Sequence, residues 1–119
     1  MARISSLQLS SELCLVLLLM FFCSGGMVKL VNCQTWCIAK PSSSDEALQK
    51  NINFACSLTD CAIIQNGGPC FFPDSAMSHA SVAMNLYYQS RGRNNWNCDF
   101  SGSGLVVITD PSYDNCKYA

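Results

Sequence analysis

Few side chains in this sequence are suited to acid–base, nucleophilic or metal chemistry. Glycoside hydrolysis needs two carboxyl groups facing each other across the scissile bond, one with a raised pKa. After residue 33 the only glutamate is Glu46, in the first turn of an expected helix, where capping is its ordinary role. The aspartates stand at helix starts and turns, where their oxygens satisfy backbone N–H groups. His79 is the single histidine. A triad would need a nucleophile and a carboxylate arranged around it, and its helical setting between Ser78 and Ala80 suits a packed or half-exposed residue. There is no Cys-x-x-Cys pair for zinc, no phosphate loop and no calcium loop. The expectation is a protein that is not an enzyme and uses no cofactor or metal.

The remaining chemistry is that of aromatic rings and amides. Trp36, Phe54, Phe71, Phe72, Tyr87, Tyr88, Trp96, Phe100, Tyr113 and Tyr118 all follow residue 33. An exposed ring covers the C–H face of a sugar while nearby amides bond its hydroxyls. Trp36, Phe54 and Phe100 read as core. Tyr87 falls on a helical stripe and Tyr88 beside it, so both cannot face the core squarely. Trp96 stands among Asn94, Asn95 and Asn97 in a loop where burial is harder, and both sugar contact and packing over a disulfide suit it. The stacking candidates are Tyr88, Trp96 and Tyr113. The hydrogen-bonding candidates are Asn85, Gln89 and Asn95.

These residues must be positioned by a small frame. The run LCLVLLLMFF over Leu13–Phe22, with Arg3 upstream, matches a signal-peptide core and is too short to span a bilayer. Residues 1–33 are therefore expected to be a signal peptide, cut between 25 and 33. The latest cut removes Cys14, Cys23 and Cys33 together and leaves no odd thiol. Residues 34–119 then form one domain with Cys37, Cys56, Cys61, Cys70, Cys98 and Cys116, an even set suited to an oxidising compartment. A domain of that size has limited core, so disulfides are its natural reinforcement.

After residue 33, five Lys and Arg stand against seven Asp and Glu. With no basic patch beyond Arg91 and Arg93, nucleic acid is an unlikely class of partner. No apolar tail follows CKY, so no membrane anchor is expected in the mature chain.

Trp36–Ala39 reads as a short strand. Ser43 with Glu46 forms a capping box, and Ala47, Leu48, Ile52, Ala55 and Cys56 follow on one helical face. Asp74 is the expected N-cap of a second helix, whose stripe is Ala76, Ala80, Ala83, Met84 and Tyr87, with Gly92 ending it. Leu105–Thr109 is β-branched and strand-like. The fold class is small, disulfide-rich α+β: two packed helices, a small antiparallel sheet and long loops.

The fragments WCIAKPSSSDEALQKNINFAC, GGPCFFPDS, HASVAMNLYYQ, NCDFSGSG and ITDPSYDNCKY, with six cysteines in order, resemble the plant family 43 carbohydrate-binding module, the X-eight domain. The resemblance spans Trp36 to Tyr118. It implies pairing of Cys37 with Cys98, Cys56 with Cys61 and Cys70 with Cys116, one of 15 pairings open to six cysteines. It implies a β-1,3-glucan ligand such as callose or laminarin, bound outside the cell in the wall. The type is the stand-alone secreted one seen in short pollen allergens, and association with a separate glucanase is a further partner it raises. Catalytic carboxylates in such enzymes lie in a separate barrel domain, so hydrolysis is not implied. The alternative is a cysteine-rich secreted defence or signalling protein acting on a protein or lipid. The Cys-Cys and Cys-x-Cys pairs of plant lipid-transfer proteins do not occur here.

Overall fold

A computed structural model describes residues 34–119. The apolar leader and its cleavage site lie outside the described residues. The elements are β1 (Trp36–Ala39), α1 (Asp45–Leu58), α2 (Ala76–Ser90) and β2 (Gly104–Val107), with short 3-10 turns at Ala62–Ile64, Asn95–Cys98 and Phe100–Gly102. The two strands pair antiparallel, Trp36 opposite Val107 and Ala39 opposite Gly104. The second strand ends at Val107, so Ile108 and Thr109, expected in it, belong to the following turn.

Both helix starts lie one residue later than the sequence suggests. Ser44, not Ser43, caps α1 by accepting from the Ala47 N–H at 3.1 Å. The Ser43 hydroxyl is engaged elsewhere, donating to the Ser103 carbonyl. Ser75, not Asp74, caps α2 by accepting from the Ser78 N–H. Asp74 instead lies 3.9 Å from His79 Nε2. At the far end of α2, Gly92 takes a φ of +84°. Its N–H reaches the Gln89 carbonyl, and the Arg93 N–H reaches that of Tyr88. This double closure needs a left-handed residue, which glycine adopts without strain.

Helix α2 is the centre of the molecule. Ala80, Ser81, Val82, Ala83, Met84, Asn85 and Tyr88 are all buried, so no single stripe describes it. One side packs with Leu48 of α1, Ala39 and the Cys37–Cys98 pair. Another packs with Ala55, Ile64 and the cysteines Cys61, Cys70 and Cys116. Its polar side chains complete the sheet. Ser81 Oγ accepts from the Ala39 N–H and Asn85 Oδ1 from the Cys37 N–H, both at 3.0 Å. The Tyr88 and Thr35 hydroxyls bond each other at 2.7 Å, and Gln89 Nε2 donates to the Thr35 carbonyl at 2.8 Å. Four residues of helix rise about 6 Å and two of strand about 6.6 Å, so the sets 81, 85, 88/89 and 39, 37, 35 stay in register. The helix thus stands where a third strand would otherwise satisfy the edge of β1.

Three disulfides tie this frame in the pairing the family resemblance implies: Cys37–Cys98, Cys56–Cys61 and Cys70–Cys116, with sequence separations of 61, 5 and 46. The chain-entropy account assigns about 4 kcal/mol to each long closure and about 2 kcal/mol to the short one.

Candidate functional site

Phe54 lies off the buried face of α1, which carries Leu48, Asn51 and Ala55, and its ring is 49% exposed. It meets Tyr87 edge-on at 5.1 Å and Phe100 at 6.1 Å, and Tyr87 meets Phe100 at 5.8 Å. The Arg91 guanidinium lies 5.0 Å from the centre of the Tyr87 ring. Three mutually perpendicular rings from three segments therefore hold one another, an arrangement favoured by the ring quadrupole. They form the floor of a cleft of about 380 Å³ lined also by Lys50, Asn51, Trp96, Asn97, Asp99 and Ser101.

The wall of the cleft is the loop after α2. Arg93 continues left-handed after Gly92, and Asn94 Nδ2 donates to the Arg91 carbonyl, which folds the chain back. The Asn95–Cys98 turn then presents Trp96 outward. Its ring is 74% exposed, the most open large apolar side chain among the described residues. Cys98 fixes the base of this turn to β1 through Cys37. Phe100, Ser101 and Gly102 all have positive φ, a state that costs a non-glycine residue on the order of 1 kcal/mol. The Asp99 carbonyl holds this stretch by accepting from the N–H groups of Gly102 and Gly104. At Gly104 a Cβ would come 1.7 Å from the Cys98 carbonyl oxygen, so only glycine allows the chain to pass there. Beneath the loop, Asn51 Nδ2 donates to Ser103 Oγ at 2.8 Å, and that hydroxyl donates to the Phe100 carbonyl at 2.6 Å.

Of the residues selected from sequence, only Trp96 lines this cleft. Asn95 is exposed in the same turn, but Asn97 of that turn lines the cleft in its place. Tyr88 and Asn85 are each 1% exposed and bond to the edge of β1, so they offer no surface to a sugar. Gln89 is half-buried and its amide is bonded to Thr35 and Asn85. Tyr113 is remote from the cleft lining. Its hydroxyl donates to the Phe72 carbonyl at 2.8 Å and contacts Ser78 Oγ at 3.2 Å. Burial, followed by the proximity of Tyr113, pushes the Tyr118 phenol well above its ordinary value.

Phe54 and Phe100, read as core, are cleft residues instead. Phe54 could have been found, because it falls outside the Leu48–Ile52–Ala55 stripe of its own helix. Phe100 had no such mark, since its position depends on the left-handed loop. His79 is half-buried, and its Nε2 lies 2.6 Å from the Phe71 carbonyl. A carbonyl only accepts, so that nitrogen carries the proton. Among the described residues no cluster of His, Cys, Asp and Glu is arranged to hold a metal ion.

The arrangement suits a neutral ligand with apolar faces and hydroxyl edges. Trp96 provides an exposed ring, the three-ring floor is apolar, and Asn97, Asp99, Lys50 and Ser101 provide hydrogen-bonding partners around it.

Comparison with known proteins identifies the family. The X8 domain family matches residues 35–105. A glucan endo-1,3-beta-glucosidase of Triticum aestivum is 52% identical over 83 residues, covering 70% of this chain and 18% of the enzyme. The major pollen allergen Ole e 10 of Olea europaea is 47% identical over 85 residues, covering 70% of this chain and 69% of the allergen. The plasmodesmata callose-binding protein 2 of Arabidopsis thaliana is 36% identical over 85 residues, covering 71% of this chain and 44% of that protein. The chain thus spans about a fifth of the glucosidase.

Proposed function

The chain belongs to the X8 domain family, and on that premise we propose that it is a non-catalytic module that binds β-1,3-glucan at the Trp96 cleft. One observation carries the reading: a 74% exposed tryptophan stands beside an aromatic-floored cleft with a polar rim. The ring would cover the C–H face of a glucose unit, and the rim would bond its hydroxyls. The names of the relatives support the ligand class, since they act on 1,3-β-glucan or bind callose.

Hydrolysis is not part of the proposal. Asp99 is the one carboxylate lining the aromatic cleft, whereas the reaction needs a facing pair. The activity of the longer glucosidases is therefore not carried over. The setting we propose is extracellular, in the plant cell wall after removal of residues 1–33, where a separate glucanase would be a partner acting on the same polymer.

The test is retention of the secreted, disulfide-intact protein on insoluble β-1,3-glucan, with cellulose as control. We expect retention on the first and not on the second, and loss of retention in Trp96→Ala. An intact protein that washes off β-1,3-glucan ends the proposal.

A further inference from the structure

The aromatic cleft does not end at Phe100. A second depression of about 240 Å³ adjoins it, lined by Ser44, Glu46, Ala47 and Ser103 together with Lys50, Asn51, Phe100 and Ser101. The last four residues also line the first depression. The two are therefore lobes of one groove, with Phe100 and Ser101 as the ridge between them. Their chemistry differs. Both have polar groups, Lys50 and Ser101 being common to them, but the first lobe has Trp96 and a floor of three rings, whereas the second has Phe100 as its one ring beside Ser44, Glu46 and Ser103.

The ridge is held rigidly. Asn51 and Ser103, 7% and 9% exposed, connect by hydrogen bonds to the Phe100 carbonyl, and Ser43 Oγ reaches the Ser103 carbonyl. On the rim of the second lobe, Glu46 and Lys50 form an exposed ion pair at 3.7 Å, so their polar atoms stand at its mouth. A ligand leaving the aromatic lobe across Ser101 meets a surface suited to hydroxyl groups and unsuited to further stacking.

We infer that the groove binds a run of several glucose units, stacked in the Trp96 lobe and hydrogen-bonded in the Glu46 lobe, so that recognition depends on chain length. This rests on the glucan reading above. A terminal or single sugar would need only the first lobe. A longer run uses both, and the second lobe contributes only once the chain is long enough to cross the ridge.

The experiment is calorimetric titration of the disulfide-intact protein with laminaritriose and laminarihexaose. Two variants accompany it: Glu46→Ala, which removes a polar group of the second lobe, and Ala47→Lys, which fills it. Thermal unfolding and amide spectra verify that each is folded. We expect the hexasaccharide to bind the parent protein about tenfold more tightly than the trisaccharide, the scale of one or two added hydrogen bonds. Glu46→Ala should weaken hexasaccharide binding severalfold, and Ala47→Lys should abolish the length advantage while leaving the trisaccharide unchanged. Equal affinity for both lengths, or a length advantage that survives Ala47→Lys, overturns the two-lobe inference and leaves the Trp96 reading intact. Failure of every β-1,3-glucan to bind overturns both.

Discussion

Among the described residues, strongly exposed aromatic rings stand in two places, and these are built differently. The Trp96 region is concave, with Phe54, Tyr87 and Phe100 packed edge-on beneath an open indole and polar side chains on the rim. The Phe72 region also holds an open ring, 73% exposed and 4.9 Å from Phe71. There, however, nearby polar groups turn inward: His79 holds the Phe71 carbonyl and Tyr113 holds the Phe72 carbonyl. Exposure is nearly equal, so exposure does not single out the proposed binding surface. What differs is whether hydrogen-bonding groups around the ring are left for a ligand or consumed by the backbone.

The most severe way to break this comparison is to cut the disulfide under each region. The two bonds close similar loops, so Cys37→Ala/Cys98→Ala and Cys70→Ala/Cys116→Ala should each lose about 4 kcal/mol of stability, read as a shift in denaturation midpoint. At low temperature, where folded protein persists, only the first pair should lose glucan binding, because Cys98 anchors the turn that carries Trp96. Equal loss from both would erase the distinction between the two regions.

A smaller effect comes from trimming the rings themselves. Trp96→Ala should weaken glucan binding by about 2 kcal/mol, roughly 30-fold, as expected for a central aromatic anchor, with stability nearly unchanged. Phe72→Ala should leave affinity as it is. Calorimetry on the two variants places the ligand at one region or the other.

Next is Tyr88→Phe, which removes the hydroxyl bonded to Thr35 at 2.7 Å and leaves its buried partner unsatisfied. About 1 kcal/mol of stability should be lost in urea unfolding, with glucan affinity unchanged. A change in affinity would return Tyr88 to the site.

The smallest effect concerns Asp110, near the Phe72 end. Its carboxylate accepts from Ser112 Oγ and N, and these bonds hold it below the usual aspartate range. A depressed folded-state pKa stabilises above the unfolded value and ceases to do so as pH falls through the folded value. The difference in urea midpoint between parent and Asp110→Asn should therefore be slight at neutral pH and vanish in strong acid. Glucan binding should not follow it.

Much of the frame was legible because it depends on local rules. Glycine after Arg91 marks the end of α2, apolar spacing marks both helices, and Trp36–Ala39 reads as a strand without help from its neighbours. Cap positions moved by one residue because competing polar groups occupy Ser43 and Asp74. The site was less legible. Spacing on α2 predicts one buried stripe and leaves Asn85, Tyr88 and Gln89 free to meet a ligand. The helix instead touches strand and helix on different sides, so these side chains serve the β1 edge. Trp96 was found because no neighbouring apolar residue offered it a core.

By itself the sequence determined the six-cysteine frame, the two helices, the shortage of catalytic groups and the setting of Trp96 among amides, since each follows from residue type and short-range spacing. The tertiary structure decided which other rings join Trp96. Phe54, Tyr87 and Phe100 are far apart along the chain and come together only when α1 packs on α2 and the Cys37–Cys98 bond folds the left-handed loop over both. Residue type says that a ring prefers shelter from water, and only long-range packing determines whether it is buried or left at a cleft.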